Sequence, residues 1–144
     1  MMYHVTTNNR LKSIMTIGLE PGRHRRWKNS WGAKLGDRGF IYLMSDFTAA
    51  IRFAAKQDYY NRADGKRMKT VILCLQNVPS EGLQRDDNIE GQMAGNTWYK
   101  SPAVIPPQDI VRVIPLTPEL TKQAVVGSTA ELPQEEPQEE PIAA

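Results

Sequence analysis

Two kinds of hydrophobic pattern open the chain, and each predicts a different element. Apolar and polar side chains alternate over residues 2–6, which predicts a short strand. Apolar residues then recur at helical spacing, at Leu11, Ile14, Met15 and Ile17. Asn8 or Asn9 is a suitable cap for this helix, Gly18 a suitable left-handed residue at its end, and Pro21 prevents its continuation. The chain therefore begins with a strand, a short helix and a stop.

A second strand and a longer helix follow. Residues 39–43 are largely apolar and begin with a glycine, which predicts a strand, and Ser45 and Asp46 are candidate caps for the next helix. The apolar face of that helix is formed by Phe47, Ala50, Ile51, Ala54 and Ala55. The helix is expected to end near Tyr59 and Tyr60.

The second half of the chain reads mainly as strands and loops. Residues 69–78 are apolar on both faces at their centre, so this strand is expected inside a sheet. Residues 84–97 are polar and rich in glycine, which predicts a long loop. Residues 98–100 and 103–105 predict short strand pieces, and residues 110–116 predict a last strand.

Two segments have no hydrophobic period. Residues 21–38 hold six basic residues with Trp27 and Trp31 between them, and loops of this length are often functional. From Pro118 the sequence turns into the acidic, proline-rich repeat PQEEPQEEP, which has little to bury. We therefore expect one folded domain over residues 1–117 and a disordered tail over residues 118–144.

Charge is distributed unevenly between these two parts. Residues 1–117 contain seventeen basic and ten acidic residues, and residues 118–144 contain one basic and six acidic residues. A basic globule with an acidic tail favours a surface that contacts phosphates, and ordinary solubility is the alternative interpretation.

The small number of cysteines and histidines limits the kinds of disulfide and metal site that the chain can form. Cys74 is the only cysteine, which indicates a reduced, cytoplasmic setting, and the sequence shows neither a secretory signal nor a membrane-spanning run. One cysteine with His4 and His24 gives no zinc spacing, so no metal is expected. Phosphate-binding glycine motifs and a serine-type triad are also missing from the sequence. A monomer is expected.

Four motifs in order resemble the ADP-ribosyltransferase superfamily. They are the YHVT strand with His4 and Thr6, the helix exit IGLEP at residues 17–21, the strand and helix with Tyr42, Ser45 and the run AAIRFA, and the late IPPQDIVRV at residues 105–113. The likeness spans residues 2–115, and small members, such as those that modify rifamycin, are the most similar. It implies an α+β fold of two small, mostly antiparallel sheets with flanking helices and a central NAD⁺ cleft.

The resemblance also implies an activity and a site. NAD⁺ would be the substrate, and ADP-ribose would pass to an acceptor as nicotinamide leaves. His4 would hydrogen-bond the ribose and pyrophosphate region, while the backbone at Val5 and Thr6 would hold the nicotinamide amide. Tyr42 would stack on the nicotinamide ring, and Ser45 would line the cleft. The residue types suit these roles, because neutral histidine both donates and accepts and an aromatic face attracts a cationic ring.

The catalytic acid departs from the commonest family pattern. Many members place a glutamate on a late strand before an aromatic residue, but residues 95–99 here read GNTWY. The rifamycin-modifying members use an aspartate in a loop after the third strand, so Asp86 or Asp87 is the candidate acid and Glu90 is the third choice. Such a carboxylate would stabilise the oxocarbenium-like ribose.

The acceptor is left open by the sequence. A protein, a nucleic acid or a small molecule is compatible, in a toxin-like, antibiotic-modifying or phage-related role. The residues expected to contact the acceptor or phosphates are Arg23, Arg25, Arg26, Trp27 and Trp31. Two alternatives are an NAD⁺-dependent RNA 2′-phosphotransferase and a non-catalytic module that binds NAD⁺, ADP-ribose or a macromolecule. The phosphotransferases resemble this chain less, because they carry a histidine where it has Tyr42.

Overall fold

A single antiparallel sheet organises the part of the chain that the computed structural model describes, namely residues 1–22, 39–86 and 98–125 together with Pro133. Its strands are β1 (Met2–Thr7), β2 (Ile41–Met44), β3 (Thr70–Leu75), β4 (Gln84–Arg85), β5 (Trp98–Ser101) and β6 (Ile110–Pro115). They lie in the order β4-β5-β2-β1-β3-β6, and every neighbouring pair is antiparallel. The α+β class is confirmed. The prediction of two separate sheets is wrong, because β1 and β2 pair through Tyr3 and Met44.

Helices cover both faces of this sheet. They are α1 (Leu11–Ile17), α2 (Phe47–Ala63) and α3 (Pro118–Val125), with short 3₁₀ turns at Asn8–Arg10 and Pro107–Asp109. Side chains from α2 and α3 form one core cluster with Tyr3, Ile72 and Cys74 of the sheet. Side chains from α1 form a second cluster with Leu43 and Leu73 on the other face. Because β3 lies between β1 and β6 and is covered on both faces, all six of its residues are buried.

The helix α2 begins as the sequence indicates and ends later. The Asp46 carboxylate accepts a hydrogen bond from the Ala49 N–H at 2.8 Å, so Asp46 is the N-cap and Ser45 is not. The helix continues past Tyr59 and Tyr60 to Ala63. Near its N-terminus, Phe47 contacts Tyr3, with ring centroids 5.3 Å apart. Burial raises the pKa of the Tyr3 phenol, and the nearby charges of Cys74 and Asp46 raise it further. Tyr3 therefore stays neutral at pH 7 as a packing residue.

The first helix differs from its prediction at both ends. Neither asparagine caps it, because the Asn8 side chain accepts from the Lys69 N–H at 3.0 Å and so joins the end of β1 to the start of β3. Gly18 has the expected positive φ, +87°, but its ψ of −176° is extended rather than left-handed helical. That conformation directs Leu19 into an isolated bridge with Ile105, through hydrogen bonds of 2.8 and 3.0 Å.

Three further elements correct the sequence-based expectations. Of residues 103–105 only Ile105 pairs, in this isolated bridge, and the predicted loop over residues 84–97 begins with the short strand β4. The predicted disordered tail begins with α3, which buries Leu120 and Ala124 against α2. Disorder from Pro118 onward is therefore wrong for residues 118–125. No helix within the described ranges is long and apolar enough to span a membrane.

Candidate functional site

The candidate site is a stretch between β1 and β2 along which the two strands do not pair. Along its length β1 pairs with β3 at six residues, and β2 pairs with β5 at four. In contrast, β1 and β2, both fully described, pair only at Tyr3 and Met44. The sheet is therefore two three-stranded halves joined at one residue pair. We call the unpaired stretch, Val5 of β1 opposite Tyr42 of β2, the β1–β2 opening.

His4 links the two sides of this opening. Its Nδ1 donates a hydrogen bond to the Tyr42 carbonyl oxygen at 2.8 Å. The Tyr42 carbonyl faces β1 because carbonyls alternate sides along a strand and Met44, two residues on, pairs with β1. The imidazole thus takes the place that a main-chain donor of β1 would have in a continuous ladder. Because a carbonyl oxygen only accepts, Nδ1 carries the proton, and a neutral His4 has its lone pair on Nε2.

Val5 offers backbone groups to the same opening. In an antiparallel pair both opposed residues direct their N–H and C=O groups toward each other or both away. The main-chain groups of Met44 and Tyr42 face β1, so those of Tyr3 face β2. The main-chain N–H and C=O of Val5, two residues further along β1, face β2 as well. The Val5 side chain, half-buried, packs on the cluster beneath α2. Thr6 is buried and shares the His4 face of the strand, as alternation predicts.

Tyr42 and Ser45 lie at different distances from this opening. Tyr42 is half-buried and lies within it, on the sheet face of Met44, so its ring and the His4 ring flank the opening from opposite faces. Lys100 of β5 stands opposite Tyr42. Ser45 is exposed and lies beyond Met44, past the residue pair that closes the opening. The structure therefore joins the His4 ring to the Tyr42 main chain beside Val5, with the two rings on opposite faces of the sheet, and leaves Ser45 outside.

Asp86 is the described candidate acid, and it is deeply buried. Its side chain follows β4 directly and is only 2 % exposed, which is rare for a carboxylate. Its N–H donates to the Trp98 carbonyl at 2.8 Å. Since Trp98 pairs with Met44, Asp86 is level with the closed end of the opening and two strands from β2, about 10 Å away at ordinary strand spacing. Asp87 and Glu90 lie outside the described residues.

Trp98, which the sequence predicts only as part of a strand, contributes a buried polar atom close to Asp86. Its ring meets Phe53 edge to face, with centroids 5.0 Å apart, and its indole Nε1 is buried without a hydrogen-bond partner in the described structure. Leaving such a donor unsatisfied costs about 1–3 kcal/mol. The indole lies between Asp86 and Met44 in one row across the sheet. A tryptophan at the start of a strand, close after an aspartate pair, was the available sequence signal.

The remaining predicted site residues are not described. Arg23, Arg25, Arg26, Trp27 and Trp31 all lie outside the described residues. A groove of about 390 Å³ lies beside the end of β3, where Met2, Leu75 and Val78 line it, and no predicted site residue contributes to it. Among the described side chains, no group of three His, Cys, Asp or Glu residues gathers as a metal site requires.

Comparison with protein-family models, with curated proteins and with solved structures found no match to this chain.

Proposed function

We propose that this chain transfers ADP-ribose from NAD⁺ to an acceptor and releases nicotinamide, within an ADP-ribosyltransferase-like fold. The observation that carries the proposal is the β1–β2 opening, bridged by the hydrogen bond from His4 Nδ1 to the Tyr42 carbonyl. The two residues that the motif resemblance selects meet at the point where the sheet parts.

The proposal assigns the nicotinamide amide to the main chain of Val5. A carboxamide has one acceptor and one donor group, and a strand residue whose N–H and C=O face an opening presents the complementary pair. Tyr42, across the opening, supplies an aromatic face for the cationic ring. His4 contributes Nε2 to a ribose hydroxyl while Nδ1 keeps the two strands linked. One histidine thus has a structural and a ligand-binding role.

The reaction breaks the bond between ribose C1′ and the nicotinamide nitrogen. The bond electrons leave with nicotinamide, which becomes neutral, and positive charge develops on the ribose. The acceptor nucleophile then bonds to C1′ and loses its proton. A carboxylate near the ribose stabilises the charge as it develops, and Asp86 or Asp87 is proposed for that role.

Nicotinamide release from NAD⁺ tests the proposal, with two substitutions of His4 that separate its roles. His4→Asn keeps an N–H near the Nδ1 position but removes Nε2, and His4→Gln does the reverse. We expect His4→Asn to keep the fold and to weaken turnover by up to about ten-fold, since one hydrogen bond is lost. His4→Gln should lower the melting temperature. Tyr42→Ala should reduce release roughly ten-fold, and Tyr42→Phe should retain it.

Lys12→Gln is the control, because Lys12 is exposed on α1 and belongs to no part of the opening. Nicotinamide release that is indifferent to both His4→Asn and Tyr42→Ala would contradict the assignment of the site. If wild-type protein neither releases nicotinamide nor binds NAD⁺ in an NMR titration, the proposed function is wrong.

Non-catalytic binding of NAD⁺ is a second candidate, favoured by the burial of Asp86. A carboxylate with 2 % of its surface exposed is poorly presented to a ribose. Binding of NAD⁺ without nicotinamide release would support this alternative. If release occurs, Asp86→Asn and Asp87→Asn identify the acid, because each keeps the side-chain shape and removes the charge. Unchanged release in both variants would exclude these two aspartates.

A further inference from the structure

The outer face of α2 and the turn after it carry an unusual combination of exposed cations and aromatic rings. Tyr59 and Tyr60 are 69 % and 52 % exposed, and their ring centroids are 5.7 Å apart. The exposed cations of the same segment are Arg52, Lys56, Arg62, Lys66, Arg67 and Lys69. We call these eight residues the α2 patch. Both tyrosines are absent from the core clusters and present more than half of their surface to solvent, so their rings are accessible to a ligand.

Helical spacing aligns the first half of this patch. Arg52, Lys56 and Tyr60 follow one another at intervals of four residues, and Tyr59 stands beside Tyr60, so all four share one face of α2. From Arg52 to Tyr60 the helix rises about 12 Å. That distance matches three to four nucleotides of a stacked strand, at about 3.4 Å each.

The turn after α2 adds the second half of the cations to the same end. It folds back on the helix, because the Gly65 N–H donates to the Arg62 carbonyl at 3.0 Å and the Lys66 N–H donates to the Asn61 carbonyl at 2.9 Å. Lys69 directly precedes β3, and its N–H donates to the Asn8 side chain. Lys66 and Arg67 thus follow the C-terminal end of α2 directly, in the same turn region as Arg62.

Acidic residues offset only part of the charge of this surface. Residues 52–69 contain six basic residues and two acidic ones, Asp58 and Asp64. Asp58 forms an ion pair with Arg62 at 2.9 Å and accepts from the Thr70 hydroxyl at 3.3 Å, so it offsets the charge of Arg62. The segment therefore keeps a clear positive charge, which complements a chain of phosphates.

We propose that the α2 patch binds single-stranded nucleic acid. Tyr59 and Tyr60 stack on unpaired bases, and the surrounding cations contact the backbone phosphates. Proteins that bind single strands commonly combine these two kinds of contact. An acidic peptide would match the charge but would leave the two rings unused. The inference is independent of the proposed transferase activity, because it concerns a different surface and needs no NAD⁺.

Fluorescence anisotropy of a labelled oligothymidylate of about twelve nucleotides, with the full chain at low salt, tests this inference. Replacing both Tyr59 and Tyr60 by Ala should weaken binding roughly ten-fold or more, because stacking on each base is lost. Replacing both by Phe keeps the rings and should keep the affinity. All these side chains are exposed, so the melting temperature should not change.

Salt dependence measures the phosphate contacts separately. Lys66→Gln combined with Arg67→Gln should flatten the slope of log affinity against log salt by about 1.4, at ~0.7 for each contact. Lys12→Gln combined with Arg85→Gln removes the same charge from exposed positions on α1 and β4, and should leave most of the slope unchanged.

Three results would overturn the inference. The first is no binding of the oligonucleotide at low salt, and the second is binding that is indifferent to loss of both tyrosine rings. The third is displacement by polyglutamate as effectively as by unlabelled oligothymidylate, which would indicate a surface for any polyanion. Since none of the measurements includes NAD⁺, their failure is distinguishable from failure of the transferase proposal.

Discussion

Gly18 has a backbone conformation that side chains strongly disfavour. Its φ of +87° with an extended ψ belongs to a region that is essentially restricted to glycine. A Cβ at this position would lie 2.4 Å from the Ile105 carbonyl oxygen, and that oxygen accepts the hydrogen bond of Leu19. The glycine therefore serves two needs, the turn out of α1 and the close approach of residues 18–19 to Ile105.

We predict that Gly18→Ala destabilises the protein by about 3 kcal/mol, because strain and a main-chain clash add. Two other glycines allow the effect of backbone strain to be measured separately from that of the clash. Gly65 has a φ of +74° but open space around its Cβ position, and Gly39 has open space with no positive φ. In urea unfolding, Gly65→Ala should cost about 1 kcal/mol and Gly39→Ala little. Equal effects at Gly18 and Gly65 would show that the approach to Ile105 does not matter.

At the residue scale, the sequence could select His4 and Tyr42 as candidates but could not give the hydrogen bond that joins them. The order of motifs selected His4 and Tyr42, and they do meet. Nothing in the letters YHVT shows that the imidazole bonds to a carbonyl 38 residues away, because that contact exists only once β1 and β2 part after a single pair. The burial of Asp86 is likewise a consequence of the unpredicted strand β4.

At the element scale, the predictions are confirmed for elements in which many apolar residues follow the same period. The buried strand β3 and the alanine-rich α2 each present a full face to the core, so their patterns are strong. The strand β4 has two exposed residues and no hydrophobic pattern to detect. Helix α3 buries only Leu120 and Ala124 of its described side chains. Two apolar positions make a weak helical pattern, and the acidic repeat that follows makes it harder to detect.

Two residues at the N-terminus of α3 are sequence signals from which the helix could have been predicted. The Thr117 hydroxyl accepts from the Leu120 N–H at 3.2 Å, and Pro118 occupies the first helical position, where proline is favoured. At the other end, Arg52 of α2 donates from Nε to the Ala124 carbonyl at 3.1 Å. The helix is thus fixed at both ends as well as by its apolar face.

Leu120→Ala tests whether α3 belongs to the folded domain. Leu120 is 4 % exposed in the cluster beneath α2, so its truncation should lower the free energy of unfolding by about 2–4 kcal/mol. Glu119→Ala and Lys122→Ala change exposed neighbours on the same helix and should cost little. The measurement is chemical denaturation, and a Leu120→Ala effect no larger than these controls would mean that α3 does not dock.

At the scale of the whole molecule, charge separates the body of the chain from its C-terminal segment. Residues 126–144 contain five glutamates and no basic residue, so the remainder has a net charge of +7 against +2 for the whole chain. This separation matters for both proposals, because NAD⁺ and nucleic acid are anions. We expect a tethered acidic segment to compete with them for the same cations, and this competition should weaken as salt shortens the range of electrostatic interactions.

Deleting residues 126–144 should therefore strengthen oligothymidylate binding at low salt while leaving stability unchanged. The cut spares α3, whereas deletion from Pro118 would remove two buried core residues and confuse loss of charge with loss of packing. The gain should shrink as the screening length falls from about 30 Å at 0.01 M salt to about 10 Å at 0.1 M. Replacing the five glutamates by glutamine in the full chain should reproduce the effect, because only charge is altered. Equal affinity of the deleted and full chains at 0.01 M salt would show that the acidic segment does not shield the basic surface.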